Sequence, residues 1–168
     1  MKEIEKKFYI DLRKLDFNLN NYRSIYITQN YLIVGNIEIR IRKYESVYNK
    51  KYYITYKKGE PPVREEHALE IDRESYQKLE SMIHKKPLGK TRYYIPYNNK
   101  MVEVDIFRDD YLRPVGEVEF NSESEMNRFT FPNWLAEECN YTNSDFWWIV
   151  NVGENCSDEY KNLFKEKE

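Results

Sequence analysis

The sequence predicts an α+β fold dominated by β-structure, in which eight antiparallel strands form a barrel or a strongly curved sheet with helices packed outside. Segments of alternating polarity, rich in β-branched and aromatic residues, recur over the first 121 residues with short turns between them. Charged residues on these segments recur in like-signed pairs two positions apart, which puts both members on one face of a strand. Aromatic residues make up 16% of a chain whose mean hydropathy is −0.89, and this combination indicates a folded protein.

Length and charge limit what the chain can be. Its 168 residues and 20.6 kDa predict one domain, residues 1–168, with room for a buried core. The net charge is −2 and both signs are abundant, so the sequence predicts neither a nucleic-acid partner nor a membrane partner. The first residues lack the apolar stretch of a secretory signal, which predicts a cytoplasmic protein. Cys139 and Cys156 are therefore expected to be reduced thiols.

Eight segments carry the strand pattern, and turn residues separate them. The predicted strands cover residues 2–10, 22–33, 36–46, 50–58, 64–72, 90–97, 100–107 and 114–121. Turns are predicted at residues 35–36, 59–62, 98–99 and 109–110, where glycine, proline, asparagine or aspartate cluster. Short turns of this kind connect antiparallel neighbours, which favours a barrel or a curved sheet.

Helices are predicted in a gap between strands and after the last strand. Residues 73–86 place an apolar stripe on one face, between Asp72 as the N-cap and Pro87 as the stop. Ser122 and Glu125 form a capping-box signature for a short helix that runs through Phe129. Two further helices are predicted, over residues 132–138 and over the last dozen residues.

The like-signed pairs point to function. They are Glu3/Glu5, Arg40/Arg42, Lys90/Arg92, Glu103/Asp105 and Glu117/Glu119. Two like charges about 6.5–7 Å apart on one strand face are unfavourable unless an opposite charge lies near them. Acidic and basic pairs lie on different strands, which indicates metal cations on one side and a polyanion on the other, as in phosphoryl transfer. The charged face meets bulk solvent or lines a closed barrel, and the sorting by sign favours the lumen.

The residue types match the two ligands of such a site. Carboxylates are the ligands that Mg²⁺ and Mn²⁺ prefer, whereas a triphosphate needs a cradle of arginine and lysine. The candidate metal ligands are Glu3, Glu5, Asp105, Glu117 and Glu119, and the candidate phosphate-binding residues are Lys7, Arg40, Arg42, Lys57, Lys90 and Arg92. In phosphoryl transfer the metal neutralises developing charge and activates water, while the basic residues hold the phosphates in line.

A series of short motifs in a fixed order resembles the triphosphate tunnel metalloenzymes of the CYTH superfamily. The motifs are residues 3–7 (E-x-E-x-K), 29–32 (Q-x-Y-L), 40–42 (R-x-R), 55–57 (T-x-K), 64–66 (R-x-E), 90–93 (K-x-R-Y), 103–107 (E-x-D-x-F) and 117–120 (E-x-E-F). One such motif alone is a weak signal. The ordered series, which runs from residue 2 to about residue 138, is highly specific.

The resemblance implies a closed eight-stranded tunnel that binds a small-molecule triphosphate with Mg²⁺ or Mn²⁺. By analogy it adds Glu66 to the candidate metal ligands or water-positioning groups, and it makes Tyr31, Glu66 and Lys57 the candidate catalytic residues. A second interpretation of Tyr31, as an aromatic of the barrel wall with a satisfied hydroxyl, stays open. A homodimer is compatible with the resemblance, although nothing in the sequence requires it.

Two departures from the family pattern bear on activity. Ala68 stands where the family continues R-x-E-x-E, and the loss of this acid is expected to weaken a second metal or the orientation of the attacking water. Glu70 follows two residues later on the same strand face, where it is a candidate to compensate. The C-terminal segment carries Trp147 and Trp148 instead of the family's closing helix, and they are predicted to pack, with base stacking as the alternative.

Three functions compete at this point. The first is a Mg²⁺- or Mn²⁺-dependent triphosphatase that hydrolyses inorganic tripolyphosphate, a nucleoside triphosphate or thiamine triphosphate. The second is an adenylate cyclase of the same fold, which needs a base-recognition surface at a tunnel mouth. The third is a protein that binds nucleotide or polyphosphate without turnover, an interpretation that Ala68 supports. The products separate the three.

Overall fold

Nine strands and two short α-helices make up the described part of the computed structural model, which comprises residues 1–33, 37–83, 86–110 and 112–139. The strands are β1 (Lys2–Ile10), β2 (Ser24–Ile33), β3 (Ile37–Glu45), β4 (Lys50–Lys58), β5 (Val63–Ile71), β6 (Leu88–Tyr97), β7 (Lys100–Phe107), β8 (Val115–Phe120) and β9 (Leu135–Glu138). The helices are α1 (Arg73–Ser81) and α2 (Glu123–Arg128), and two 3₁₀ turns cover Leu12–Lys14 and Leu19–Asn21. The eight predicted strands are confirmed, with ends within two residues of the predicted ones.

Eight of the strands close into an antiparallel barrel, as the sequence resemblance implies. The order is β5-β4-β3-β2-β6-β7-β8-β1, and β1 returns to β5 to complete the circle. The closing pair is short, because only residues 2–4 of β1 lie opposite residues 63–65 of β5. Further along the same edge, residues 8–10 of β1 pair with β9. Both ends of β1 are therefore paired along this seam, one with β5 and the other with β9.

The β6–β7 hairpin shows how local sequence sets the register. Asn98 and Asn99 have φ values of +45° and +61°. A two-residue type I′ turn requires positive φ at both positions, and asparagine adopts it more readily than most residues. The turn fixes Arg92 opposite Asp105 in the ladder. A slip of one residue would move every charged side chain of the strand to the other face.

Both helices begin where the sequence predicts. Asp72 accepts a hydrogen bond from the Ser75 N–H at 2.7 Å, and Ser122 accepts one from the Glu125 N–H at 3.1 Å. Helix α1 ends at Ser81, short of the predicted end at residue 86, and residues 84 and 85 lie outside the described ranges. No helix within those ranges combines the length and apolar character needed to cross a membrane.

The helix predicted over residues 132–138 is wrong, because Leu135–Glu138 is strand β9. Pro132 opens a turn in which its carbonyl accepts from the Leu135 N–H at 3.1 Å, and the chain then pairs with β1. The free edge of β1 offers backbone donors and acceptors that a following segment satisfies as a strand, so tertiary pairing overrides the local helix signal. The predicted C-terminal helix, Trp147 and Trp148 lie outside the described residues.

Alternation along the strands gives the barrel two different faces. The like-signed charged pairs face the lumen. The main hydrophobic core therefore lies outside the barrel, against the wall formed by β6, β7, β8 and β1. The barrel contributes Phe8, Ile10, Ile95, Val102, Val104, Val118 and Phe120 to this core. Two connecting segments, residues 15–22 and 126–135, cover most of it. Helix α1 covers a second patch, where the ring centroids of Tyr52 and Tyr76 are 4.9 Å apart.

We predict that Phe120→Ala lowers the free energy of unfolding by about 3–5 kcal/mol, the usual result of removing a buried phenyl ring. Phe120 is 4% exposed, and its ring lies 5.3 Å from that of Phe129 and 6.0 Å from that of Phe131. Urea unfolding followed by circular dichroism measures the change. Tyr48→Ala is the control, because Tyr48 is 96% exposed and its truncation should cost less than about 0.5 kcal/mol. Equal losses in the two variants would contradict an external core.

Candidate functional site in the barrel lumen

The register of the closed barrel brings the predicted site residues to one surface. Arg40 of β3 lies opposite Tyr31 of β2 and Thr55 of β4, and Arg42 lies opposite Gln29. Because register partners share a face, the same parity continues around all eight strands. The lumen-facing set includes Glu3, Glu5, Lys7, Tyr31, Arg40, Arg42, Lys57, Glu66, Lys90, Arg92, Asp105, Glu117 and Glu119.

Lys57 lies among three of the predicted acids. Its Nζ is 2.7 Å from a carboxylate oxygen of Glu3, 3.1 Å from Glu66 and 4.0 Å from Glu5. Only 5% of the Lys57 side chain is exposed. A buried ammonium group needs carboxylates around it, and converging carboxylates need a cation. Lys57 therefore marks one point in the lumen where carboxylates converge.

The pKa values of the acids near Lys57 are shifted in different directions. Burial raises the pKa of Glu3 to about 8, and the hydrogen bond with Glu66 and the charge of Glu5 act in the same direction. Burial would also raise the pKa of Glu66, but the bond from Glu3 and the charge of Lys57 outweigh burial and lower that pKa. The pKa of Glu119 is raised by burial and by the charges of Glu5 and Glu66. Of the pair Glu3 and Glu66, Glu3 therefore takes up a proton more readily.

A second cluster surrounds Asp105, which is fully buried. Arg92 donates from Nε to Oδ1 at 2.7 Å and from Nη2 to Oδ2 at 2.8 Å, and Lys90 donates to Oδ2 at 2.6 Å. Arg92 also contacts Glu103 and Glu117. Burial alone would raise the pKa of Asp105, but the charges of Lys90 and Arg92 outweigh it and lower the pKa. Both oxygens of this predicted metal ligand are thus bound by predicted phosphate-binding residues.

The pKa values of two lysines of the lumen, Lys7 and Lys90, are shifted in opposite directions. Lys7 lies 2.7 Å from Glu117, and although burial acts downward, that charge raises the pKa of Lys7. For Lys90, burial and the nearby charge of Arg92 both lower the pKa. Together they outweigh the attraction of Asp105, and the pKa falls to about 7. A polyanion beside Lys90 would favour its charged form.

Tyr31 lies buried in the lumen wall at the end of a hydrogen-bond chain. Arg42 donates from Nε to Oε1 of Gln29 at 3.0 Å, and Gln29 donates from Nε2 to the Tyr31 hydroxyl at 2.7 Å. Burial, aided by the charge of Glu38, raises the pKa of Tyr31, so the hydroxyl stays protonated at neutral pH. This is the satisfied hydroxyl of a wall residue, and the catalytic role of Tyr31 stays a prediction.

Polar residues that face the lumen but are missing from the sequence-based site include Gln29, Glu38, Arg64 and Glu103. Each lies two positions from a predicted site residue on the same strand, so strand parity alone would have found them. A search for like-signed pairs passes over Glu38 because its neighbour at that spacing, Arg40, has the opposite charge. Glu38 and Arg40 form an ion pair at 2.9 Å.

Glu70 does not take the place of the acid that is lost at Ala68. Ala68 lies opposite Thr55 in the β4–β5 ladder. Glu70 is exposed and accepts a hydrogen bond from the Tyr53 hydroxyl at 3.4 Å. Its surroundings are thus unlike those of Glu66, which contacts the buried Lys57.

Four carboxylates, those of Glu3, Glu5, Glu66 and Glu119, supply the oxygen ligands that a hard divalent cation prefers. Glu5 lies directly opposite Glu119 in the β1–β8 ladder, where two like charges destabilise the strand pair unless a cation is near. Within the described ranges, no three histidine, cysteine, aspartate or glutamate side chains converge closely enough, as placed, to hold an ion. The donor set fits a divalent metal in charge and ligand type, and binding requires these carboxylates to turn away from Lys57.

Comparison with known proteins identifies relatives of this chain. No family model matches the chain. A curated inorganic triphosphatase of Nitrosomonas europaea is 30% identical in an alignment 144 residues long, which covers 82% of this chain and 89% of that protein.

Solved structures share the fold. A crystal structure of an inorganic triphosphatase gives a TM-score of 0.54 at 25% identity, over 96% of this chain and 93% of that one. A conserved hypothetical protein of Pyrococcus furiosus gives 0.56 at 24% identity, over 74% and 82% of the two chains. A proposed adenylate cyclase of Bacillus halodurans gives 0.54 at 16% identity, over 75% and 85%. The last two support the fold alone. The chain belongs to the triphosphate tunnel metalloenzyme (CYTH) superfamily.

Proposed function

We propose that this chain is a divalent-metal-dependent triphosphatase that converts inorganic tripolyphosphate into orthophosphate and pyrophosphate. The observation that carries the proposal is a closed barrel whose lumen sets buried lysines and arginines against carboxylates. The identity of 30% with an inorganic triphosphatase supports the reaction and the substrate. The all-oxygen donor set supports Mg²⁺ or Mn²⁺. The cytoplasmic location and the homodimer stay predictions.

The basic residues of the lumen would hold the substrate. In the structure Lys7, Lys57, Lys90 and Arg92 are paired with carboxylates. Phosphate oxygens can replace those carboxylates one for one, because an arginine fork fits phosphate and carboxylate alike. Substrate binding is therefore an exchange of partners, and no cation needs to be left buried and unpaired at any stage.

The carboxylates that this exchange releases, together with those of Glu5 and Glu119, would hold the metal. Glu3, Glu5, Asp105, Glu117 and Glu119 are the ligands we propose, and a bound divalent ion would supply charge neutralisation and an acidified water. Glu66 is the residue we propose to orient the attacking water and take its proton, because Lys57, 3.1 Å away, and the bond from Glu3 keep it in the carboxylate form that can accept a proton. Water attacks the terminal phosphorus, the bond to the bridging oxygen breaks, and pyrophosphate leaves with the Lys57 ammonium near the charge that develops.

An aromatic cluster on the lumen side supports a second candidate, an adenylate cyclase acting on a nucleoside triphosphate. Tyr44 and Tyr53 pack edge to face with centroids 5.5 Å apart, and the Arg23 guanidinium lies 4.3 Å from the centroid of the Tyr94 ring. Aromatic rings and guanidinium planes stack on nucleobases. A cyclase would release pyrophosphate and a cyclic nucleotide instead of orthophosphate.

Product analysis tests the proposal directly. We expect purified protein with Mg²⁺ or Mn²⁺ to release orthophosphate and pyrophosphate from tripolyphosphate in equal amounts, because one anhydride bond is broken per turnover. Ion chromatography measures both products, and the same protein with a chelator is the control. Cyclic AMP and pyrophosphate from ATP would establish the cyclase instead. Saturable binding of tripolyphosphate without any product would indicate a binding protein.

A substitution at the acidic cluster tests the metal site. We expect Glu5→Gln to reduce metal-dependent hydrolysis by at least about 100-fold, because an amide lacks the charge that holds the ion and the loss of about 3 kcal/mol is usual for such a group. Phosphate release measures activity, and circular dichroism checks the fold. Glu65→Gln is the matched control, since Glu65 lies on the outer face of β5 and is exposed. Wild-type turnover in Glu5→Gln would refute the metal-site assignment.

A substitution on β3 tests the phosphate cradle. We expect Arg42→Ala to weaken tripolyphosphate binding about 10- to 100-fold, because a charged hydrogen bond contributes about 1.5–3 kcal/mol. Isothermal titration calorimetry with a non-hydrolysable imido analogue measures the dissociation constant. Lys43→Ala is the control, because Lys43 belongs to the outer face of the same strand. An unchanged constant in Arg42→Ala would remove this residue from the cradle.

A further inference from the structure

Glu38 lies buried between two arginines on the lumen side of the barrel. Its Oε1 is 2.9 Å from Nη1 of Arg40, and its Oε2 is 3.6 Å from Nη2 of Arg64. No more than 12% of any of the three side chains is exposed. One carboxylate thus faces two guanidinium groups, and the trio keeps a net positive charge inside the protein.

The two guanidinium groups are incompletely satisfied. Among the described residues, the Nε atoms of Arg40 and Arg64 are both buried and neither has a hydrogen-bond partner. A buried donor on a cation is expensive to leave without an acceptor, and folded proteins seldom do so. Glu38 contacts one terminal nitrogen of each guanidinium group and leaves each Nε without an acceptor. A phosphoryl group that reached these atoms would supply the missing acceptors, because guanidinium groups form charge-assisted hydrogen bonds with phosphate.

The trio shares its electrostatic surroundings with the proposed active site. Burial acts upward on the pKa of Glu38, but the charges of Arg40, Arg64 and Lys57 outweigh it and lower the pKa. Burial acts downward on the pKa of Arg40, and the charges of Glu38 and, among others, Glu66 raise it. Lys57 and Glu66 are two of the proposed catalytic residues, so an anion held by the arginines would lie near them.

We propose that Arg64 is a further phosphate-binding residue and that Glu38 is a positioning residue, which holds Arg40 and Arg64 as a paired clamp for one phosphoryl group of the substrate. This inference rests on the proposed triphosphatase function. Glu38 offsets the repulsion between the two guanidinium groups before the phosphate arrives, and its contacts with one terminal nitrogen of each leave both Nε atoms without a competing acceptor.

Double-mutant analysis of binding tests the clamp. The probe is the imido analogue of tripolyphosphate with Mg²⁺, titrated by calorimetry, and hydrolysis of tripolyphosphate by the wild type is measured in parallel. We expect Arg64→Ala to raise the dissociation constant about 10- to 100-fold, the loss expected for charged hydrogen bonds. We expect Glu38→Gln to raise it about tenfold in the wild type and by clearly less in the Arg64→Ala background, because one of its two targets is then gone. Arg73→Ala, on exposed helix α1, should bind like the wild type.

The outcomes are distinguishable. If the wild type hydrolyses tripolyphosphate but both Arg64→Ala and Arg64→Lys bind like the wild type, the clamp is refuted and the proposed function stands. If the wild type neither binds nor hydrolyses tripolyphosphate, both the clamp and the proposed function are refuted. Should Arg64→Ala not fold, Arg64→Lys carries the test, because it keeps the charge but loses the two-pronged contact. An equal cost of Glu38→Gln in both backgrounds would refute the positioning role.

Discussion

A charge that is removed from water needs an opposite charge beside it, and this constraint organises the whole lumen. Lys57 is surrounded by Glu3, Glu5 and Glu66, and Asp105 is enclosed by cations. The pairing holds the charge of the lumen close to neutrality. A metal ion or a triphosphate alone would upset that balance, whereas the two together bring both signs and let each internal pair exchange partners. We therefore expect the two ligands to bind cooperatively.

A polar lumen removes the usual source of barrel stability, since interiors of small barrels are generally filled with packed apolar side chains. In this protein the main hydrophobic core lies outside the barrel, where Phe8, Val118 and Phe120 pack beneath covering segments. Strand β9 belongs to that arrangement, because Trp134 and Leu135 enter the core just as the chain pairs with β1. The covering segments are thus as necessary to the tunnel as its strands, although they contribute none of the candidate site residues.

Much of this architecture could be read from the sequence, because a strand with one charged face has a period of two that few other structures imitate. The positions of the site residues followed from the same parity. The contact partners of these residues could not be predicted from parity. Lys57 and Glu3 are 54 residues apart and meet only because β1 closes on β5. The helix predicted over residues 132–138 failed for a related reason, since a free strand edge elsewhere in the fold decided its conformation. Local signals fix which face a residue takes, and long-range closure fixes what it touches.

The closed wall also bears on substrate choice, because a ligand must enter through a mouth of the tunnel. Tripolyphosphate needs only the charged middle, where the exchange of partners leaves no charge uncompensated. A nucleotide needs in addition a surface for its base, and the half-buried Tyr94 ring already has Arg23 stacked on one face. The base would have to displace that guanidinium or use a second ring, Tyr44 or Tyr53, which pack against each other. Either route costs existing contacts before new ones form. That cost does not arise for the inorganic substrate, which is the physical reason to place it first.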